Sequence, residues 1–168
     1  MTHQPSFAQA EFAAKKKVTR REKFLARMEE VIPWTQLLAV IEPFYPKGKR
    51  GRPPIGLERM LRVYFLQQWY ALADEALEDA LYDRHSLQSF ARIVLAADGV
   101  PDATTRLNFR HLLETHDLCK SLFTAINADL TARGLFPLRD HFECACQLRL
   151  HGFDHRRIGR SSLGGFEF

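Results

Sequence analysis

Long apolar runs, a secretory leader and a cysteine framework are all missing from this 168-residue sequence. It contains no stretch of roughly eighteen apolar residues, so we expect no membrane-spanning helix. The opening MTHQPSFAQAEFAAKKK has no apolar segment after a basic start, which argues against a secretory signal. The chain has only three cysteines, an odd number, so we expect a reducing, cytoplasmic location and no disulfide scaffold.

The signatures of common enzyme chemistries are missing as well. There is no glycine-rich phosphate loop and no nucleophile paired with a histidine in a recognisable motif. Acidic residues at i, i+4 spacing occur at Asp74, Glu75, Glu78 and Asp79. A metal site is one interpretation, but the helix dipole favours acidic residues near a helix start and explains them more simply. We therefore predict no catalytic residue and no metal site from these residues.

The composition does provide a core and an uneven charge distribution. Apolar residues make up 46% of the chain, including thirteen phenylalanines and two tryptophans, so global disorder is excluded. Residues 15–62 carry thirteen Lys and Arg against five Asp and Glu, whereas residues 63–134 carry six against ten. A basic end on a mildly acidic body is typical of nucleic-acid-binding domains, although an ordinary solvated basic face remains the alternative.

Helical periodicity extends from Thr19 almost to Gly134, with apolar residues three and four positions apart. Pro33 and Pro43 interrupt it, and Pro53-Pro54 suits a helix start because proline lacks an N–H that would be unpaired there. The predicted caps are Thr19, Asp74, Ser86, Asp102 or Thr104, and Asp117, with Gly134 as a left-handed C-terminal residue. The pattern predicts about seven helices and no convincing strand, which is a compact all-α domain.

One segment between two predicted helices is strongly basic. KGKRGRPP, residues 47–54, contains Lys47, Lys49, Arg50 and Arg52 beside two glycines and two prolines. Such a composition fits neither a helix interior nor a central strand. It is either a solvated linker or a basic arm that lies against a polyanion.

Short helices with sharp turns between Asp74 and Glu114 are compatible with a helix-turn-helix-like part. In this interpretation PDATTRLNFR begins a recognition helix whose first turns face DNA. The side chains expected to contact DNA are Thr104, Thr105, Arg106, Asn108 and Arg110. Hydroxyl, amide and guanidinium groups can reach phosphates or base edges. The alternative is that these are ordinary capping and surface residues of a packed helix.

Three long blocks occur in order: EFAAKKKVTRREKFLARMEEVIPW, IEPFYPKGKRGRPPIGLERMLRVYFLQQWYALADEALEDALYD and VPDATTRLNFRHLLE. Together they resemble the N-terminal region of InsH-type insertion-sequence transposases, which are bacterial DDE enzymes. The resemblance runs from about residue 1 to Gly134. It implies a helical domain that helps to bind the terminal inverted repeats of the element. In the family this domain precedes an RNase H-like catalytic domain that holds two Asp and one Glu and uses Mg²⁺.

The basic segment also resembles a known DNA-binding peptide. KRGRP is similar to the Arg-Gly-Arg-Pro core of AT-hook peptides, in which arginines enter a narrow A·T minor groove. We therefore expect the arm to contact DNA, and we expect further contacts from a basic N-terminal segment. The predicted DNA-binding cations are Lys15, Lys16, Lys17, Arg20, Arg21, Lys47, Lys49, Arg50 and Arg52.

After Gly134 the sequence departs from the family. No VDAT-like segment follows, and no alternating apolar strand surrounds Asp140 or Asp154. We therefore carry over no catalytic residue and expect no cofactor and no strand cleavage by this chain alone. Cys144, Cys146, His151 and His155 offer zinc-type ligands, but Cys-x-Cys is tighter than the usual spacing, and a coincidental cluster is the favoured interpretation.

The sequence thus predicts three segments: a basic arm over 1–18, a helical DNA-binding domain over 19–134, and a disordered or frameshifted tail over 135–168. The predicted function is the DNA-binding part of a truncated transposase whose partner is double-stranded DNA with terminal inverted repeats. A second copy of the chain or intact transposase is left open as a further partner. The alternative is a helical protein–protein module that dimerises with intact transposase or inhibits it.

Overall fold

The computed structural model describes residues 17–48, 54–95 and 99–135, and these ranges contain seven helices and no strand. The helices are α1 (Arg20–Val31), α2 (Trp34–Ile41), α3 (Leu57–Tyr70), α4 (Asp74–Asp83), α5 (His85–Ala91), α6 (Ala103–Thr115) and α7 (Leu118–Ala132). The all-α fold predicted from the periodicity is confirmed. None of the described helices is long and apolar enough to cross a bilayer.

Several helix ends lie at the residues predicted from the sequence. Thr19 caps α1 in a capping box: its hydroxyl accepts from the Glu22 N–H at 3.3 Å, and the Glu22 carboxylate accepts from the Thr19 N–H at 2.8 Å. Asp102 caps α6 by accepting from the Thr105 N–H at 2.6 Å. Gly134 has a φ of 71° after the last helix, a conformation that glycine adopts without steric cost.

Three predicted helix starts were wrong in detail. α3 begins at Leu57 after Gly56, several residues beyond the prolines. α4 begins with Asp74 inside the helix, because the Asp74 carboxylate bonds to Arg110 instead of capping. α5 begins at His85, so Ser86 lies inside its first turn. Asp117 does precede α7, but it makes no side-chain cap and has a φ of 50°.

α3 is the central helix of the fold. One of its faces packs in a cluster with α1, α4 and α5, through residues such as Val63, Leu66 and Leu81. The opposite face packs in a second cluster with α2, α6 and α7. The buried residues of this second cluster are Ile32, Leu37, Ile41, Met60, Leu61, Phe65, Phe109, Leu113, Leu118 and Leu122. The burial of Phe109 and Leu113 fixes which face of α6 points outward.

Candidate nucleic-acid interface

The two ends of the basic segment are joined at its base. The Tyr45 hydroxyl donates a hydrogen bond of 2.5 Å to the backbone oxygen of Ile55. Burial raises the pKa of Tyr45, which keeps the phenol protonated as a donor. The Tyr45 ring also meets the Phe109 ring edge to face, with centroids 6.2 Å apart. The base of the segment is therefore attached directly to α6.

A groove of about 300 Å³ lies between this base and α6. One wall contains Tyr45, Pro46, Pro54 and Ile55, and the opposite wall comes from Val100 and α6 with its cap. We call this space the α6 groove; Met60, Asp102, Thr105, Asn108, Phe109 and Leu112 complete its lining. The α6 groove brings together two sites that the sequence predicted separately, namely the flanks of the basic segment and the first turns of α6.

The predicted DNA-binding residues of α6 separate into two groups. Thr104 and Asn108 are exposed, and Thr105 is half-buried beside the groove. Arg106 is only 2% exposed, so it does not lie on the outward face where the sequence pattern placed it. Arg106 is three residues before Phe109 and therefore shares the inner face of the helix with that core side chain.

Arg106 is bonded within the domain. Its guanidinium donates to the backbone oxygen of Pro101, to that of Asp74 at 2.9 Å and to the Glu78 carboxylate at 3.3 Å. These contacts connect α6 to α4 and to the segment before α6. A charge buried in this way requires such partners, because an unpaired guanidinium would lose its hydration without compensation.

Arg110 is the second inward arginine of α6. It forms a bidentate pair with Asp74, at 2.8 Å and 3.0 Å, and also donates to the side-chain oxygen of Gln67 at 3.0 Å. The hydrogen bond from Arg110 lowers the pKa of Asp74 to about 2, with further contributions from Gln67 and Arg106. From the sequence, Asp74 and Glu78 were explained by helix-dipole electrostatics. In the structure, both carboxylates pair with arginines of α6 and therefore hold α6 against α4.

A further buried arginine was missed by the sequence reasoning. Arg62 of α3 is 1% exposed, and it bonds to Glu29 at 2.5 Å and 2.7 Å, to Glu58 and to the Phe90 backbone oxygen. Its guanidinium lies 4.1 Å from the centroid of the Trp34 ring. The hydrogen bond from Arg62 lowers the pKa of Glu29. The i, i+4 spacing of Glu58 and Arg62 was the only sequence pattern that indicated an ion pair for Arg62. Glu29 comes from another helix, so no spacing along the chain relates it to Arg62.

The remaining predicted cations lie at the surface or outside the described residues. Lys17, Arg20 and Lys47 are exposed, and Arg21 is half-buried with its guanidinium 5.5 Å from the centroid of the Tyr70 ring. Lys47 directly follows Pro46 of the α6 groove. Lys15, Lys16, Lys49, Arg50 and Arg52 lie outside the described residues.

The described carboxylates do not assemble a metal site. Within residues 17–48, 54–95 and 99–135, no group of three or more His, Cys, Asp or Glu side chains is placed to hold an ion. Asp74 and Glu29 are bonded to arginines instead. The possible zinc ligands Cys144, Cys146, His151 and His155, together with Asp140 and Asp154, lie outside the described residues.

Comparison with known proteins identifies the family of this helical arrangement. A family model described as "Transposase domain (DUF772)" matches residues 12–112, which is more than half of the chain. The match includes α1 to α5, the basic segment and most of α6. No solved structure matches the chain.

Proposed function

Since the chain belongs to the transposase domain (DUF772) family, we propose that its helical domain binds double-stranded DNA through the α6 groove and the basic segment beside it. The observation that carries this proposal is the shared groove. The flanks of the basic segment, Pro46 and Pro54, line it together with Thr105 and Asn108 of α6. Bound DNA would therefore contact a polar helix face and a cationic segment at the same time.

The distribution of charge supports a polyanionic partner. Lys47, Lys49, Arg50 and Arg52 are concentrated within six residues, a density suited to phosphate contacts. Arg20 and Arg21 lie in the first turn of α1, where the helix dipole disfavours positive charge. A phosphate nearby would remove that penalty.

The ordered blocks GRPPIGLERMLR, LQQWYALADEALEDALYD and PDATTRLNFRHLLE support an InsH-type insertion-sequence transposase. The DNA recognised is then the terminal inverted repeat of such an element. In this role the domain positions the protein on the end of the element.

The test is a salt-dependent binding measurement. Fluorescence anisotropy would compare the chain with a variant in which Lys47, Lys49, Arg50 and Arg52 are alanine, on duplexes with InsH-type terminal repeats. We expect much weaker binding by the variant. The slope of log K against log salt should flatten by about 0.9 for each phosphate contact that is lost.

A matched control variant distinguishes an effect of the basic segment from an effect of net charge. A second variant replaces Lys23, Arg27, Arg84 and Lys120, four exposed cations that do not line the α6 groove, with alanine. This variant removes the same number of positive charges as the first. Its slope of log K against log salt should remain steeper than that of the first variant. Equal affinity and slope in the two variants would contradict the proposed interface. Retained binding to intact transposase by a variant that cannot bind DNA would instead favour a protein–protein module.

A further inference from the structure

The outward face of α6 carries no permanent charge over its first two turns. Its exposed residues are Ala103, Thr104, Leu107, Asn108 and His111, which recur three and four positions apart. Leu107 is 42% exposed, the only large apolar side chain of α6 classed as exposed. The two arginines of this stretch, Arg106 and Arg110, point inward to Asp74. Guanidinium groups are therefore absent from the face that remains accessible.

The inward residues also hold the helix in a fixed orientation. Phe109 is buried in the core beside α3, and Arg106 and Arg110 bond to α4. Asp102 closes the first turn through its bond to the Thr105 N–H. Side chains on a helix supported in this way are placed more accurately than side chains on a loop.

We infer that this neutral face reads A·T base pairs in the major groove, with Leu107 as a specificity-determining residue that the sequence pattern did not indicate. The inference rests on the DNA binding proposed above. Asparagine pairs its amide with N6 and N7 of adenine, and apolar side chains contact the C5-methyl group of thymine. Asn108 therefore recognises adenine, and Leu107 with the Thr104 methyl group contacts thymine. Recognition of guanine normally uses Arg or Lys, which this face does not offer.

The spacing of the side chains on this face of α6 determines how many base pairs of the preferred DNA sequence they can contact. Thr104 and Asn108 are one turn apart, which corresponds to about 6 Å along the helix axis. One strand of B-DNA advances by about 3.4 Å per base pair. The three side chains therefore cover about two to three consecutive base pairs, and the expected preference is a short A·T run.

The composition of the face favours DNA over a protein partner. Leu107 is the one large exposed apolar side chain of α6, and its exposed neighbours on the helix are Ala103, Thr104, Asn108 and His111. Protein-binding surfaces usually have a larger contiguous apolar area. The exposed Lys47 directly follows Pro46, which lines the α6 groove together with Asn108, and adds positive charge at that end of the groove.

The test begins with selection of bound duplexes from a random-sequence library by the full 168-residue chain. We expect the selected sequences to share a short A·T run. In the selected duplex, each thymine is then replaced by deoxyuridine, which removes only the C5-methyl group. Wild-type protein should lose about fourfold in affinity at the contacted thymine, the value for one buried methyl-sized group. Leu107→Ala should lose less than about twofold on the same replacement.

Two further variants test whether the sequence preference depends on particular side chains of α6. Asn108→Ala should reduce discrimination against a changed adenine by about 5- to 150-fold, the range for one bidentate contact. Leu135→Ala removes a leucine of similar exposure, 45%, that lies beyond α7 and not on α6, and it should behave as wild type. Circular dichroism would show that each variant keeps its helix content.

Each possible negative result has a different consequence for the inferred base readout and for the proposed DNA binding. Tight binding without sequence preference, or a selected G·C run, would overturn the inference but leave the proposed DNA binding intact. An unchanged deoxyuridine effect in Leu107→Ala would remove Leu107 from the readout. No binding to any duplex would overturn the proposed function together with the inference. Loss of self-association or of transposase binding in Leu107→Ala, with DNA readout unchanged, would assign the face to a protein partner.

Discussion

The guanidinium of Arg106 occupies a position that most proteins fill with an apolar side chain. It lies beside the buried Phe109 and donates to two backbone oxygens and to Glu78. Substitutions here change the orientation of α6 as well as any contact with DNA. Reduced DNA binding by an Arg106 variant therefore does not show a direct contact, and Asn108 or Leu107 is the better probe.

Arg106→Ala should destabilise the domain by about 2 to 3 kcal/mol. Its removal leaves the buried Pro101 backbone oxygen without this donor, whereas the partly exposed carboxylates of Asp74 and Glu78 are rehydrated at low cost. Urea denaturation followed by circular dichroism measures the free energy of unfolding. Arg27→Ala, at an exposed position of α1, is the control and should change it by less than about 0.5 kcal/mol. Equal effects would show that Arg106 has no structural role.

Asp74 should make stability depend on pH in the acid range. Arg110 holds the pKa of Asp74 at about 2 in the folded protein, below the ordinary value of 3.8. The stabilisation is complete above the ordinary pKa and is lost as the pH falls through about 2. Partial exposure reduces it to about 1 to 2 kcal/mol at neutral pH.

The measurement compares wild type with Asp74→Asn between about pH 6 and pH 2. The difference in unfolding free energy should be largest at pH 6 and should shrink as the pH falls below about 4. Arg110→Met, which removes the largest cause of the shift, should flatten the profile in the same way. Parallel curves for wild type and Asp74→Asn over the whole range would contradict this assignment.

At the scale of the element, the start of α6 depends on one side chain. The Asp102 carboxylate accepts from the Thr105 N–H, and its charge is favourable at the N-terminal end of the helix dipole. The α6 residues proposed to contact DNA lie within the first two turns after this cap. An intact cap is therefore a condition for the geometry of the α6 groove.

Asp102→Ala should lower the unfolding free energy by about 1 kcal/mol and speed amide hydrogen exchange over residues 104–106. Asp83→Ala is the matched control because Asp83 is exposed at the C-terminal end of α4. A negative charge there opposes the helix dipole, so its removal should be neutral or slightly stabilising. Equal losses in the two variants would indicate a general charge effect and not a cap.

At the scale of the whole molecule, several carboxylates of the described residues are paired with arginines, and no group of three or more potential ligands among these residues is placed to hold a metal ion. Two-metal phosphoryl transfer needs carboxylates that converge on ions about 3.5–4 Å apart. Glu29 and Glu58 are bonded to Arg62, and Asp74 is bonded to Arg110. These side chains do not fit the Mg²⁺ site of a DDE enzyme, and we derive no catalytic step from them.

From the departure of the sequence from the family after Gly134, we predict that this chain alone neither nicks nor joins repeat-bearing DNA with Mg²⁺ or Mn²⁺ at concentrations that saturate binding. Gel analysis of end-labelled duplexes would detect cleavage, and intact InsH-type transposase provides the positive control. Metal-dependent formation of 3′-hydroxyl ends that Asp140→Ala or Asp154→Ala abolishes would refute this prediction. It would place a catalytic site in the residues beyond α7.

The sequence alone was sufficient for the features that depend on neighbouring residues. Periodicity identified the helices, and the caps at Thr19 and Asp102 were readable because a capping side chain bonds within three residues of itself. The blocks that resemble InsH-type transposases predicted the transposase family, which the match over residues 12–112 confirms. The predicted DNA contacts at Thr104, Asn108 and Lys47 stay predictions.

The tertiary structure decided which polar residues face inward. Arginine is usually a surface residue, yet Arg106 and Arg62 are buried and Arg110 is half-buried, because carboxylates from a different helix pair with each of them. Such pairing joins residues as far apart in the chain as Asp74 and Arg110, so no local pattern contains it. Burial of a charge depends on whether a partner compensates for lost hydration, and only the packed fold brings that partner into place.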